Sequence, residues 1–255
     1  MVSSTKVTLF PWDANSVVHR KRLVEQRIEC SWHQDEVETK WRTQQIKGEK
    51  CIYWIVLVSD EQQARSKVKK PTITLTKAQL THFHKGEEML QDTATTLNAV
   101  PCQPTQESFV PIGHISLDSK NPEADNLDLD LPSQNIFWIK SFYVRQSIQG
   151  QGIGRAAMDE VEAMAGREPL LAKTLMLDTV HSDDQKREDF AIATFGGVPK
   201  TTNQEWYNRR GYRLIKTLQN FYRVSDRNGK MWDMRTVFMR KDLAGDEGIP
   251  SEDVQ

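Results

Sequence analysis

A loop of alternating glycines lies between a strand pattern and a helix pattern, with its glycines at Gly150, Gly152 and Gly154. The segment before it, NIFWIKSFYV at 135–144, is rich in the β-branched and aromatic residues of a buried strand. Apolar residues with helical spacing follow the loop, at Ile153, Ala157, Val161 and Met164. The pattern therefore predicts a helix that begins at the glycines and packs one face on a sheet.

The glycines leave the backbone amides of residues 149–155 uncovered at the point where the helix begins. The first N–H groups of a helix have no partner within the helix and carry the positive end of its dipole. A loop of this kind binds anions, most commonly phosphate. Gln149 and Arg155 flank it and can add side-chain contacts, while Arg155 can equally be a solvated surface cation. The alternative is a tight turn in which glycine only lets two elements approach each other.

Two familiar phosphate-binding motifs do not fit this loop. The dinucleotide fingerprint G-x-G-x-x-G, started at Gly150, requires glycine where Arg155 stands. The Gly-Lys-Ser/Thr ending of the P-loop is absent. The spacing therefore assigns the loop to neither class.

The remaining patterns predict a mixed α/β protein. Further strands are predicted at residues 7–10, 51–58, 109–117, 174–180, 213–224 and 231–240. A helix is predicted at residues 15–28, capped by Asn15 or Ser16, with apolar positions at Val17, Val24 and Ile28. A second helix is predicted at residues 34–48, with Val37 stacked over Trp41. Residues 181–200 are predicted to form a long connection.

Residues 59–108 are polar and rich in threonine, unlike the segments on either side. A loop of this length is uncommon inside a compact domain, so we expect an insertion, a lid or a partly disordered segment, with a short helix at 75–90. The whole pattern predicts a single domain over residues 1–243 that contains this insertion. A disordered tail is expected at 244–255.

A second motif lies at residues 199–212. Thr202 and Glu205 have the spacing of a capping box that begins a short helix, and Gly211 is placed to end it. Tyr207 lies near the last turn, with Trp206 beside it. On these residues alone, we expect both aromatic side chains to pack in the core.

Taken together, QGQGIG at 149–154 and WYNRRGY at 206–212 resemble the two motifs of the GNAT superfamily of acyl-CoA N-acyltransferases. The first matches Q/R-x-x-G-x-G/A, and the second matches an aromatic–Tyr–x–x–x–Gly–aromatic segment. The predicted order of elements is also similar to that of the family. The resemblance implies a mixed, mostly antiparallel central sheet flanked by helices, with acetyl-CoA as co-substrate and no metal.

The resemblance also implies roles for individual residues. The strand before the glycines is expected to offer backbone groups to pantetheine at Phe142 and Val144. The loop and the helix start are expected to hold the pyrophosphate of coenzyme A through Gln149, Gly150, Gln151, Gly152, Ile153, Gly154 and Arg155. Tyr207 matches a tyrosine that protonates the departing thiolate, a role that suits a phenol with a pKa near 10.

The chain departs from the family where a base is expected. Many members have a carboxylate on the strand before the glycines, but this chain has Lys140 and Ser141. An asparagine common in the family is replaced by Lys200, and Asn203 stands where a small residue is usual. His114 and Asp178 are base candidates by their positions on neighbouring strands. Both can equally be packed or hydrogen-bonded structural residues, and neither is assigned as catalytic.

These features predict an N-acetyltransferase in which an amine attacks acetyl-CoA directly, with a small-molecule acceptor favoured over a protein. The alternative is an acyl-CoA-binding or protein-interaction module without turnover. Acceptor recognition is expected from residues 29–34, 59–108 and 181–189. The last segment carries acidic residues that can attract a cationic amine or simply face solvent, namely Asp183, Asp184, Glu188 and Asp189.

Charge and cysteine content indicate which partners and which cellular location to expect. The formal net charge is −1, so no global basic field favours nucleic acid, and the cluster RSKVKK at 65–70 is expected to be a solvated surface. The longest apolar run, CIYWIVLV, is too short to span a bilayer, and no signal-peptide pattern opens the sequence. Three widely spaced cysteines favour reduced thiols, so a cytoplasmic or nuclear location is expected. The oligomeric state is left open.

Overall fold

The computed structural model describes residues 7–57, 88–226 and 228–243. Backbone contacts divide the chain into two compact units, one of residues 1–121 and 138–168 and one of residues 122–137 and 169–255. The basic cluster at 65–70, the helix predicted at 75–90 up to residue 87, and the tail at 244–255 lie outside the described residues. The single domain expected over residues 1–243 stays a prediction.

The described elements include runs of consecutive strands as well as helices. The strands are β1 (Val7–Pro11), β2 (Ile52–Leu57), β3 (Leu90–Gln91), β4 (Thr96–Leu97), β5 (Val100–Pro101), β6 (Ser108–Phe109), β7 (Gly113–Asp118), β8 (Ile136–Val144), β9 (Thr174–Val180), β10 (Arg213–Gln219), β11 (Val224–Ser225), β12 (Met231–Trp232) and β13 (Arg235–Asp242). The α-helices are α1 (Val17–Cys30), α2 (Arg42–Ile46), α3 (Ile153–Ala165), α4 (Ser182–Lys186), α5 (Glu188–Phe195) and α6 (Asn203–Asn208).

The first unit is built on strands in the order β1, β2, β7 and β8. Each neighbouring pair is antiparallel, with Ile52 opposite Ser116 and Gly113 opposite Val144. Both β2 and β7 are buried along nearly their whole length, as a continuous apolar strand predicts. Together with the apolar face of α3, these strands form the core of the unit.

The buried face of α1 differs from the prediction. Ser16 caps the helix as expected, but Val17 and Ile28 are 68% and 59% exposed. The buried positions are Leu23 and four polar residues, His19, Arg22, Gln26 and Arg27. The apolar spacing was misleading because these polar side chains satisfy their hydrogen bonds on the sheet and on the segment after residue 87.

The helix predicted at 34–48 is a π-helical turn at Val37–Trp41 that continues into α2. Val37 and Trp41 are both buried, which confirms their predicted stacking face. Residues 88–109 form two small hairpins, β3 with β6 and β4 with β5. The strand predicted at 109–117 is interrupted at Pro111, because β7 begins only at Gly113.

The glycine loop leads into α3 as predicted. Ile153, Ala157 and Val161 are buried as predicted, but Met164 is only half-buried, and Met158 and Ala165 complete the buried face. The helix packs against β1 and β7 of the same unit. The described residues contain no helix that is long and apolar enough to cross a membrane.

The second unit is built on β9, β13 and β10, which pair in that order as antiparallel neighbours. The connection predicted at 181–200 is instead helical, because it contains α4 and α5. Acidic residues in both first turns and a left-handed Gly196 after α5 provide the start and stop signals. The predicted fold class, a mixed α/β fold with a mostly antiparallel sheet flanked by helices, is confirmed.

Candidate functional site

The loop before α3 has the backbone conformation that only glycine adopts readily. Gly150 and Gly152 both have a φ of +80°, and Gly152 is the N-cap residue of α3 without a side-chain cap on the first amides. Gly150 and Gly152 are exposed, and Gln151 is half-buried. A helix start without a side-chain cap, next to exposed glycines, is the arrangement that an anion site requires.

The side chains around the loop have separate roles. The Gln149 side-chain nitrogen donates to the backbone oxygen of Val144 at 2.7 Å, so Gln149 closes the loop onto the end of β8. This bond occupies the carbonyl of Val144, one of the groups expected to face pantetheine. Ile153 is buried and anchors the helix, whereas Arg155 is exposed at its first turn. A Cβ at Gly154 would lie 3.5 Å from the Phe142 ring, so that ring underlies the helix start.

The strand that leads to the loop contains a β-bulge. His114 pairs with Tyr143 and Ser116 pairs with Lys140, so Ser141 and Phe142 together oppose one residue of β7. Ser141 has a φ of +51°, which is costly for a residue with a side chain. The bulge takes the backbone at Ser141 out of the regular ladder.

β7 and β8 are in close contact beside the bulge. A Cβ at Gly113 would lie 2.2 Å from the backbone oxygen of Tyr143. Only glycine therefore allows β7 to approach β8 at this point. The amide of Arg145 donates to the backbone oxygen of Ile112 at 3.0 Å, just beyond the paired residues.

A buried lysine contacts the bulge. The Lys50 Nζ atom donates to Asp118 Oδ2 at 2.8 Å, to Ser116 Oγ at 3.1 Å and to Ser141 Oγ at 3.1 Å. Lys50 and Asp118 are each only 4% exposed. Burial lowers the pKa of Lys50, and Asp118 opposes this shift. The Lys50 ammonium also lies 4.6 Å from the centre of the Trp41 ring.

His114, considered as a base from the sequence, is fully buried and hydrogen-bonded at both ring nitrogens. Its Nε2 atom lies 3.3 Å from Arg27 Nη1, and its Nδ1 atom lies 2.8 Å from Gln26 Oε1. Because a guanidinium only donates, Nε2 accepts and Nδ1 carries the proton. Burial, then Arg27 and Lys50, hold the pKa of His114 well below its ordinary value. His114 is therefore part of the packed interior.

Tyr207 lies on α6, in the second unit. The capping box predicted there is present, because the Thr202 hydroxyl accepts from the amide of Glu205 at 3.2 Å and Glu205 accepts from the amide of Thr202 at 2.9 Å. Tyr207 is half-buried, and its ring centre lies 5.0 Å from that of Trp206 and 5.8 Å from that of Tyr212. The helix thus fixes the Tyr207 ring by edge-to-face packing.

Two other acidic candidates have structural partners in the second unit. Asp178 on β9 hydrogen-bonds with Tyr222, whose pKa is raised by burial and by the carboxylates of Asp178 and Glu123. Asp184 is buried and accepts from Arg235 through both oxygens, at 3.1 Å and 2.9 Å. Burial favours a higher pKa for Asp184, but the hydrogen bonds from Arg235 outweigh it and lower the pKa. Of the acidic residues at 183–189, Asp183, Glu188 and Asp189 face solvent.

The contact between Lys50 and Ser141 was not predicted from the sequence. The sequence carries a signal only for the Lys50–Asp118 pair, because Lys50 precedes an apolar strand and Asp118 ends β7, its neighbour in the sheet. In an antiparallel pair these positions meet, as the pairing of Ile52 with Ser116 shows. Among the described residues, no group of three or more His, Cys, Asp or Glu side chains could hold a metal ion.

Residues 80–196 match a family model described as "Acetyltransferase (GNAT) family". The chain is similar in structure to an aminoglycoside 6'-N-acetyltransferase complexed with coenzyme A, at a TM-score of 0.47 and 14% identity, over 95% of this chain and 97% of that chain. It is similar to Arabidopsis thaliana NAA60 in complex with acetyl-CoA, at a TM-score of 0.47 and 11% identity, over 93% of this chain and 99% of that chain. It is also similar to a GNAT family acetyltransferase from Elizabethkingia anophelis with acetyl-CoA bound, at a TM-score of 0.43 and 14% identity, over 93% of this chain and 99% of that chain. No curated protein matches the chain.

Proposed function

Because the chain belongs to the GNAT acetyltransferase superfamily, we propose that it transfers an acetyl group from acetyl-CoA to an amine. The observation that carries this proposal is the loop at 149–155. Its exposed glycines have positive φ values, and the helix that follows it has no side-chain cap. A diphosphate is the ligand that best suits amides at the positive end of a helix.

The proposed reaction is a direct transfer. The lone pair of a neutral amine attacks the thioester carbonyl carbon, a C–N bond forms and the C–S bond breaks. The thiolate of coenzyme A takes a proton from the Tyr207 hydroxyl, the amine loses one proton to solvent or to a base, and Tyr207 regains its proton from solvent. The bulged backbone at Ser141 lies in the strand that the family uses to contact the thioester, where backbone dipoles stabilise the developing oxyanion.

We propose a small-molecule amine as the acceptor. The insertion at 59–108 is long enough to cover a small pocket, which supports this choice over a protein surface. Glu188 offers an exposed carboxylate that can attract a cationic amine. Asp183 and Asp189 are also exposed, but they lie 3.4 Å from Arg235 and 3.2 Å from Arg187. Cys30, Cys51 and Cys102 are free, which supports a cytoplasmic location.

A second candidate function is acyl-CoA binding without turnover. Positions 140 and 141 hold lysine and serine, and both ring nitrogens of His114 are already hydrogen-bonded. None of these three residues is therefore a free base for an ammonium substrate. A protein that keeps the anion site but transfers no acetyl group would have this pattern.

One experiment separates the two functions. Coenzyme A affinity is measured by calorimetry, and thiol release from acetyl-CoA is followed across a panel of small amines, lysine peptides and peptide N-termini. Amine-dependent thiol release with acetylated product supports the transferase. Tight binding without release over the whole panel supports the binding module, and no binding at all contradicts both functions.

A further inference from the structure

We infer that Lys50, held by Asp118, is a positioning residue that keeps the β8 bulge in the conformation that acetyl transfer requires. This inference rests on the proposed function, which gives the bulge its role in acetyl transfer. The contact itself is a feature of the first unit alone, because Lys50, Asp118 and Ser141 all belong to it.

The bulge needs an external hold because Ser141 does not favour its own backbone conformation. A φ of +51° is readily available to glycine but strained for serine. Such strain persists only where surrounding groups fix the residue. The Ser141 hydroxyl accepts a hydrogen bond from Lys50 Nζ at 3.1 Å, and this contact fixes the side chain of the strained residue.

Lys50 ties both strands of the bulge together. Besides Ser141 on β8, its ammonium donates to Ser116 on β7 at 3.1 Å. The Ser116 hydroxyl in turn donates to the backbone oxygen of Lys140 at 3.0 Å, next to the bulge. The Lys50 ammonium thus fixes the side chain of Ser141 directly, and it stabilises the pairing of Ser116 with Lys140 through the Ser116 hydroxyl.

Asp118 is the group that keeps Lys50 in place. Its Oδ2 atom is 2.8 Å from Lys50 Nζ, and both side chains are 5% exposed. The other carboxylate oxygen of Asp118 is buried and has no hydrogen-bond donor within the described part of the chain. A buried ion pair with an unsatisfied oxygen is a poor source of stability, which points to a positional role.

The test removes the whole ion pair rather than one charge. Lys50→Met alone would leave Asp118 buried and unpaired, and the protein could fail to fold. The variant carrying both Lys50→Met and Asp118→Leu removes both charges of the pair together, and with them the hydrogen bond to Ser141. The matched control carries Lys120→Met and Glu49→Leu, which deletes a pair 3.1 Å apart between exposed Lys120 and half-buried Glu49, without contact to Ser141.

Two measurements are made on each variant. The first is kcat and KM for acetyl transfer, with coenzyme A affinity. The second is the Cα and Cβ chemical shift of Ser141 in serine-labelled protein, which reports its backbone conformation without any reaction. We expect the pair deletion to lower kcat about tenfold or more, with KM for acetyl-CoA and coenzyme A affinity changed less than about twofold. The Ser141 shifts are expected to leave the left-handed range, whereas the control keeps wild-type values.

A rescue variant tests whether the loss of kcat comes from the backbone conformation of residue 141. Adding Ser141→Gly to the pair deletion lets the bulge adopt a positive φ without a hold, so part of the lost kcat should return. Wild-type kcat in the pair deletion, or a lowered kcat with unchanged Ser141 shifts, would overturn the positioning role. If the wild-type protein acetylates no amine, the proposed function fails, and the Ser141 shifts alone still decide whether Lys50 holds the bulge.

Discussion

Two properties of Gly152 make it the position at which to test the proposed diphosphate site. It has a φ of +80°, and it is the N-cap residue of α3. We predict that Gly152→Asp weakens coenzyme A binding about tenfold or more relative to Gly152→Asn, because only the aspartate adds a negative charge beside the diphosphate. Asparagine is the matched control, since it has the same shape and tolerates positive φ.

Relative to Gly152→Asn, Gly152→Asp should weaken coenzyme A binding without lowering thermal stability. A carboxylate at the helix start favours the helix dipole, so Gly152→Asp should melt no lower than Gly152→Asn. The checks are calorimetric titration with coenzyme A and thermal unfolding without it. Equal coenzyme A affinities for the two variants would exclude this loop as the diphosphate site.

In the proposed reaction, the Tyr207 hydroxyl supplies a proton to the leaving thiolate. Tyr207→Phe keeps the ring that packs on Trp206 and Tyr212 and removes only the oxygen. We predict that kcat falls about 100-fold, while coenzyme A affinity and the unfolding temperature stay near wild type. Steady-state kinetics with thiol detection check this, and wild-type kcat would leave Tyr207 with a packing role.

Residues that depend on local backbone rules were accessible from the sequence, whereas the bulge was not. The positive φ values of Gly150 and Gly152 follow from glycine in a strand–helix loop. The positive φ of Ser141 follows from a mismatch of register between β7 and β8, which no pattern within either strand encodes. Lys50 reaches Ser141 from 91 positions away in the chain, so that contact also required the fold.

At the scale of elements, the approach of β7 to β8 depends on one missing side chain. A Cβ at Gly113 would lie 2.2 Å from the backbone oxygen of Tyr143, so the two strands must separate to accept it. We predict that Gly113→Ala lowers the free energy of unfolding by about 2 kcal/mol or more.

Gly197 provides the matched control for this substitution. Its φ is not in the left-handed region, and a Cβ there would meet no atom within 4 Å. Gly197→Ala should change the free energy of unfolding by less than about 0.5 kcal/mol. Urea denaturation of both variants decides the point, and equal effects would show that β7 and β8 can move apart at little cost.

Strands and caps were predicted better than buried faces. The predicted β9 agrees with the structure at both ends, and the capping box at Thr202 is present as predicted. The buried face of α1 was wrong because His19, Gln26 and Arg27 find hydrogen-bond partners that lie far away in the sequence. Helices α4 and α5 were missed because the acidic first turns were interpreted as a solvated loop.

At the scale of the whole molecule, two buried histidines link stability to pH. Burial lowers the pKa of His19 despite its hydrogen bond to the Gln91 carbonyl and the nearby Asp13 and Asp92. The pKa of His114 is also lowered, by burial, Arg27 and Lys50. Below the unfolded value of about 6.5, the unfolded chain therefore binds protons that the folded chain does not.

We predict that the free energy of unfolding falls as the pH drops from 7 to 5. Each proton taken up on unfolding contributes about 1.4 kcal/mol per pH unit in this window. Urea denaturation at several pH values measures the slope, and His19→Gln should reduce it. A flat profile between pH 7 and pH 5 would contradict neutral buried imidazoles at His19 and His114.

Neither compact unit is a continuous stretch of chain, and this affects how the protein can be made. The first unit needs residues 138–168, which leave the ribosome only after residues 122–137 of the second unit. An amino-terminal domain commonly folds while the rest of its chain is still being synthesised. Here β7 must wait for β8 with an open edge, the kind of surface that pairs with other nascent chains.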